Sequence, residues 1–126
     1  MRVFKLKGFA RFCRKSGIDD ASLLLVVRAI DAGIIDADLG GEVFKQRIAR
    51  QGQGKSGGYR TVLLMRQGHR VLFVKGFAKK DRDNISDREL PDLKMLASVA
   101  LGVDAVDVAD LVRGGEWIEV QDAAQI

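Results

Sequence analysis

Eleven lysine and arginine side chains fall between residues 43 and 82: Lys45, Arg47, Arg50, Lys55, Arg60, Arg66, Arg70, Lys75, Lys79, Lys80 and Arg82. Asp81 is the one carboxylate in that stretch, which leaves it at +10. Residues 1–42 carry seven basic and six acidic side chains, and residues 83–126 carry three and ten, so the flanks stand at +1 and −7 around a whole-chain charge of +4. Solvated surfaces ordinarily intersperse their signs. A dense run of cations suits a phosphate backbone, and it suits charge that builds on a phosphate as it reacts. The plain alternative is chance clustering on a solvated face. The absence of a carboxylate pair in the block argues against a Mg²⁺ site or two-carboxylate acid–base chemistry there.

Other chemistries find less support. Gly54-Lys55-Ser56 has the ending of a nucleotide-binding loop, but the first glycine of that motif would fall at Ala49, and the loop leads into a strand rather than a helix. Its glycines still expose N–H groups that can approach a phosphate. His69 is the only imidazole and sits in a turn; it is an exposed turn residue or a reserve acid or base. Cys13, the only cysteine, has no partner for an internal disulfide and reads as a core thiol in a reducing, cytoplasmic setting. With one histidine and one cysteine far apart, no metal site is expected, and no cofactor is implied. Trp117 reads as core, and Tyr59 as either core or a contact for nucleic acid. No apolar run approaches the ~18 residues of a membrane span, and the N-terminus lacks a signal-peptide core.

These side chains need elements to position them. Residues 4–15 read as a first helix, with Phe9, Phe12 and Cys13 on one face, closed by Gly17. A second follows Asp19 as its N-cap, with Leu23, Val26, Val27 and Ile30 as its stripe. Residues 34–41 read as a loop or short edge strand, and residues 43–49 as a strand with Val43, Lys45, Arg47 and Ala49 on one face. Residues 51–58 read as a glycine-rich loop. Residues 59–66 and 70–77 are continuously apolar at their centres, as expected of central strands buried on both faces, and Gln67-Gly68-His69 joins them in a hairpin. Arg60 falls opposite Tyr59 and Thr61, beside Val62 and Leu64; Lys75 falls in one alternation with Phe73 and Phe77. A charge within such runs must reach an edge or cleft, or pair with the acidic C-terminal part.

Residues 86–101 read as a third helix opened by the Ser86–Glu89 capping box, with Pro91 in its first turn. Residues 104–113 form a fourth, short helix, residues 117–120 a small strand, and the tail after Gln121 frays. No linker or repeat interrupts the chain. The expected fold is a single α+β domain over residues 1–126: two N-terminal helices packed on a small antiparallel sheet, with helices again near the C-terminus.

Several segments taken together resemble the RelE/ParE superfamily of bacterial toxins, and most closely its RelE-like, HigB-like members. They are Phe9-Ala10-Arg11-Phe12, Asp38-Leu39-Gly40-Gly41, Gly54-Lys55-Ser56-Gly57-Gly58-Tyr59-Arg60 and Gly76-Phe77-Ala78-Lys79. The resemblance covers nearly the whole chain. It implies a type II toxin that cleaves messenger RNA on the ribosome without metal and inhibits translation. It also implies a cognate antitoxin, expected as a helix-turn-helix DNA-binding protein. In that family two cations on the strand before the loop, an arginine after Gly-Tyr, a later arginine and a tyrosine mark the site. Here Lys45 and Arg47 match the pair, Arg60 the Gly-Tyr-Arg arginine, and Lys80, with Arg82 two residues on, the later arginine. Ser86 stands at the tyrosine position, and a longer loop brings in Lys55.

The resulting catalytic set is Lys55, Arg60, Lys80 and Arg82, and the RNA-binding set Lys45, Arg47, Arg50, Tyr59, His69, Lys75 and Lys79. RNA carries its own nucleophile, the 2′-OH, so a protein need only align it and manage charge and protons. Arg60 would clamp the phosphate oxygens; Lys55, Lys80 or His69 would act as base; Arg82 or Lys79 would stabilise the leaving group. Three other readings stay open. The chain can be a ParE-like inhibitor of DNA gyrase, or a catalytically weakened module that binds RNA or the ribosome. Its acidic C-terminal part can also fold over the basic block and neutralise it.

Overall fold

The computed structural model describes residues 1–50, 54–78 and 85–121, apart from the side chains of residues 49, 50 and 54–57. The elements run β1 (Arg2–Leu6), α1 (Lys7–Ser16), α2 (Asp20–Asp31), β2 (Ala37–Asp38), β3 (Val43–Arg50), β4 (Gly54–Arg66), β5 (Arg70–Ala78), α3 (Glu89–Ala100), α4 (Ala105–Arg113) and β6 (Trp117–Glu119). One six-stranded sheet has the order β2-β3-β4-β5-β1-β6. Strand β1 is parallel to β5 and antiparallel to β6; the remaining pairs are antiparallel.

The expectation of two N-terminal helices on a small antiparallel sheet is overturned. The chain opens with a strand, and the sheet is six-stranded and mixed. Each face of the sheet has its own core. On one side Phe9 and Cys13 of α1 and Leu23, Val27 and Ile30 of α2 pack on Val3, Ile48, Leu63, Met65, Val71 and Phe73. On the other, Leu93, Ala97 and Ala100 of α3 and Val108 of α4 pack on Phe4, Val43, Val62, Leu64, Leu72 and Phe77. Residues 2–6, read in part as helix, are a strand because Val3 and Phe4 serve opposite cores and are both fully buried.

The two central strands behave as expected, buried on both faces and joined at Gln67-Gly68-His69 with Arg66 opposite Arg70. Gly68 supplies a φ of 74° for the turn. Residues 54–58, read as loop, extend β4 instead, with Gly54 opposite Arg50. In β5 the register slips: Val62 faces Lys75 and Leu63 faces Phe73, so Val74 is the extra residue of a bulge. One extra residue reverses the alternation. Phe73 and Phe77 therefore serve opposite cores, and Lys75 turns to the α3 face instead of sharing one with Phe73.

Helix starts follow their caps. Asp19 accepts from Ser22 N–H at 2.9 Å and Asp104 from Asp107 N–H at 2.9 Å. At the head of α3 the Ser86 N–H donates to Glu89 Oε2 (2.9 Å) and Glu89 N–H donates to Ser86 Oγ (3.2 Å). The capping box therefore forms, with Pro91 in the first turn behind it. No helix among the described residues is long and apolar enough to cross a membrane. The tail expected to fray lies, after Gln121, outside the described residues.

Candidate functional site

Two adjacent rows across β3, β4 and β5 bring four of the sequence-selected cations together on the α3 face. Arg47, Arg60 and Phe77 form one row, and Lys45, Val62 and Lys75 the next. Strands lie ~4.8 Å apart and successive same-face residues ~6.6 Å apart along a strand, so neighbouring positions fall within one phosphodiester's reach. The rows lie toward the end of the sheet opposite the β4–β5 hairpin.

Three of the four cations have local partners. Lys75 Nζ is 2.7 Å from Glu89 Oε1, and Glu89 Oε2 accepts from Ser86 N–H and Oγ–H (2.9 and 3.1 Å). Arg47 N–H donates to Asp36 Oδ2 at 2.7 Å, with its guanidinium 3.5 Å from Oδ1. Lys45 is half-buried and also partnered. Arg60 differs. It is 7% exposed, forms no salt bridge among the described residues, and its buried Nη1 has no hydrogen-bond partner. A buried guanidinium donor without an acceptor is costly in place, and a phosphate oxygen would satisfy it with a charge-assisted bond.

Other sequence-selected residues lie elsewhere. Tyr59 is on the opposite face, its ring edge-on to Phe12 of α1 at 5.4 Å between centroids. That contact depends on Gly76: a Cβ there would sit 2.2 Å from the Phe12 ring. His69 is exposed at the hairpin turn, six strand residues beyond Arg60 and so ~20 Å from it. The side chains of Lys55 and Arg50, and all of Lys79, Lys80 and Arg82, lie outside the described residues. Ala78, directly before Lys79, is paired with Tyr59, the neighbour of Arg60, so the chain leaves β5 at the same end of the sheet.

Arg66 and Arg70, counted in the basic block, serve the fold. Arg70 Nη1 donates to the carbonyls of Ala100 and Val103 (3.0 and 2.8 Å), and Arg66 Nη1 to that of Leu101 (3.2 Å). They hold the carbonyl end of α3, where a cation also complements the helix dipole. Arg66 is further clamped by both Glu42 oxygens at 3.0 Å. Burial, then the charges of Arg2 and Arg66, lower the Arg70 pKa from its ordinary value. Trp117 and Cys13 are buried, and burial pushes the Cys13 thiol up to about 11.

Sequence reasoning missed Asp36; for Lys75 it left open a pair with the acidic C-terminal part, and Glu89 supplies that partner. Glu89 had a signal, since it closes the capping box, but its second role depends on where α3 lies. Asp36 had none, because it precedes a two-residue edge strand.

Among the described residues the arrangement is a sheet-end patch of cations in which the buried Nη1 of Arg60 has no hydrogen-bond partner. Two comparisons bear on it. The family model described as the RelE toxin of the RelE / RelB toxin-antitoxin system matches residues 1–120. No curated protein matches the chain.

Proposed function

The chain belongs to the RelE toxin family, the toxin half of a toxin–antitoxin pair, and from that premise we propose that it is a metal-independent endoribonuclease acting on messenger RNA at the ribosome. The observation that carries the reading is Arg60, whose buried Nη1 lacks an acceptor in a row with Arg47. A scissile phosphate entering from the sheet end would take that donor. As the RNA 2′-OH attacks, negative charge grows on the phosphate oxygens, and a fixed guanidinium stabilises it without reorganisation. Arg47, Lys45 and Lys75 would bind flanking phosphates, each sharing its charge with a local partner.

Lys55 or Lys80 would act as the base. Arg82 or Lys79 would stabilise the leaving oxygen. His69, exposed at the hairpin turn, stands behind Lys55 and Lys80 as a reserve acid or base. The cognate antitoxin that the family implies would be a helix-turn-helix protein.

The test compares two assays on purified protein: cleavage mapped by primer extension in a translating extract, and supercoiling by DNA gyrase. Cuts within ribosome-bound messages that vanish with Arg60→Ala, with supercoiling untouched, are the expected result. Inhibited supercoiling without RNA cuts would overturn the reading.

A further inference from the structure

Strand β1 covers β5 only as far as Lys5 opposite Phe73, and the chain then turns into α1. Among the described residues no strand pairs with the rest of β5 on that side. Val74, Lys75 and Gly76 are accordingly half-buried on a strand that is otherwise buried. The gap is a cleft of about 280 Å³, walled by Gly8, Phe9 and Phe12 of α1 and by Lys75, Gly76 and Phe77 of β5. Three of these six residues are aromatic, and Lys75 is the one charged side chain among them.

Gly8 stands exposed in the first turn of α1. Neither backbone nor packing requires a glycine there: its φ is not positive, and a Cβ would meet nothing within 4 Å. A glycine inside a helix costs stability relative to alanine. What it leaves is open space beside the cleft, as where a ligand must come close. Gly76 differs, because the Phe12 ring takes its Cβ position. The neighbours of the cleft narrow the choice of ligand. Phe77 lies opposite Arg60 in register, one cross-strand step (~5 Å) away, and Lys75 belongs to the adjoining row. A ligand that fills the cleft and reaches Arg60 therefore joins an apolar, planar part to an anion by a short link. A nucleotide has this form: its base stacks on aromatic rings, and its sugar carries the phosphate toward Arg60. A phosphate alone would leave the aromatic wall unused, and an apolar side chain would leave Arg60 Nη1 without its acceptor.

We propose that the cleft between α1 and the uncovered end of β5 takes one base of the RNA strand, beside the phosphate held by Arg60, and so selects the nucleotide that flanks the cut. The proposal rests on the reading of the chain as an RNA-cleaving toxin. Phe12 and Phe77 supply the stacking surface, and Gly8 leaves the room for the base to enter.

The experiment titrates the full-length, nitrogen-15-labelled chain and follows its amide resonances. The probes are a 2′-O-methyl trinucleotide, which has no free 2′-OH and is not cut, its three counterparts each lacking one base, and inorganic phosphate. One of the three abasic probes should bind about tenfold more weakly than the intact one, as the loss of a base–aromatic stack requires. The Gly8 and Gly76 amides should shift with the intact probe but not with that abasic one or with phosphate. In Gly8→Leu the new side chain fills the cleft, so the intact and abasic probes should bind alike. Gly8→Glu, whose carboxylate suits the first turn of a helix, should behave in the same way. Both variants remove a helical glycine, so thermal midpoints at or above wild type are expected. Arg60→Ala should weaken every oligonucleotide and keep the tenfold gap. Abasic probes that all bind as tightly as the intact one, binding too weak to detect, or a Gly8→Leu chain that keeps the gap would each overturn the slot. A chain that discriminates as expected yet cuts no message in the translating extract would refute the cleavage and leave the base slot standing.

Discussion

Two buried arginines on β4 and β5 should respond in opposite directions to the same substitution. Arg60 and Arg70 are 7% and 8% exposed. Arg70 Nη1 holds two carbonyls at 3.0 and 2.8 Å, whereas Arg60 Nη1 holds nothing. Replacing Arg60 with methionine keeps most of the side-chain bulk and removes an unpaired buried donor, a change worth about 1–3 kcal/mol. It also removes a like charge directly across from Arg47, worth about 0.2–1 kcal/mol. Arg60→Met should therefore stabilise the fold by about 1–3 kcal/mol, or raise the thermal midpoint by roughly 4 °C per kcal/mol for a chain of this size. Arg70→Met leaves two carbonyls at the end of α3 unpaired and should destabilise by about 2–5 kcal/mol. Urea unfolding followed by circular dichroism gives both numbers. A stabilised Arg60→Met that no longer arrests growth is the signature of a residue retained for function at the expense of stability. An Arg60→Met less stable than wild type by more than ~1 kcal/mol would refute the reasoning, because Arg60 would then be structural.

Two further outcomes test the packing around the site. Gly76→Ala places a Cβ 2.2 Å from the Phe12 ring; the ring must leave Tyr59, and stability should fall by about 1–3 kcal/mol in urea, whereas an unchanged midpoint would show that the ring yields freely. The Cys13 thiol, raised from 9.0 to about 11 mainly by burial, stays protonated in the native state where the unfolded thiol ionises. Its contribution is complete below pH 9.0 and is lost as pH rises toward 11. The stability difference between wild type and Cys13→Ala should shrink across that window, and one that holds constant would contradict the burial.

Much of the sheet was legible because its signals are long. Residues 59–66 and 70–77 announce buried strands by continuous apolar runs, and Gln67-Gly68-His69 announces their turn. The caps at Asp19 and Ser86 act locally, so three or four residues suffice to reveal them. What escaped is non-local. Strand β1 is five residues long, and its parallel pairing with β5 depends on a partner some seventy residues away. The bulge at Val74 has no composition of its own, yet it decides which face Lys75 and Phe77 occupy. Of the site, Arg60 and its face were readable from alternation alone. Its lack of a partner was not, because that depends on which cations Asp36, Glu42 and Glu89 reach.

The bulge explains how a cation can stand in β5. Unbroken alternation from Val71 and Phe73 would carry Lys75 into the core beneath α1, where a charge without a partner is costly. The extra residue turns Lys75 outward to Glu89 and brings Gly76 beneath Phe12, the one residue type whose missing Cβ admits the ring. The same reversal sets Phe77 beside Arg60 on the α3 face. Meanwhile Arg66 and Arg70 are held by Glu42 and the end of α3, at the hairpin end of the same face. Among the described residues the cations of the +10 segment are thus divided along the strands: Arg66 and Arg70 at one end hold a helix, Lys45, Arg47 and Lys75 at the other are each partnered, and Arg60 Nη1 remains without an acceptor. A polyanion recruited to this face is therefore expected at the Arg60 end, the end from which the chain carrying Lys79, Lys80 and Arg82 departs.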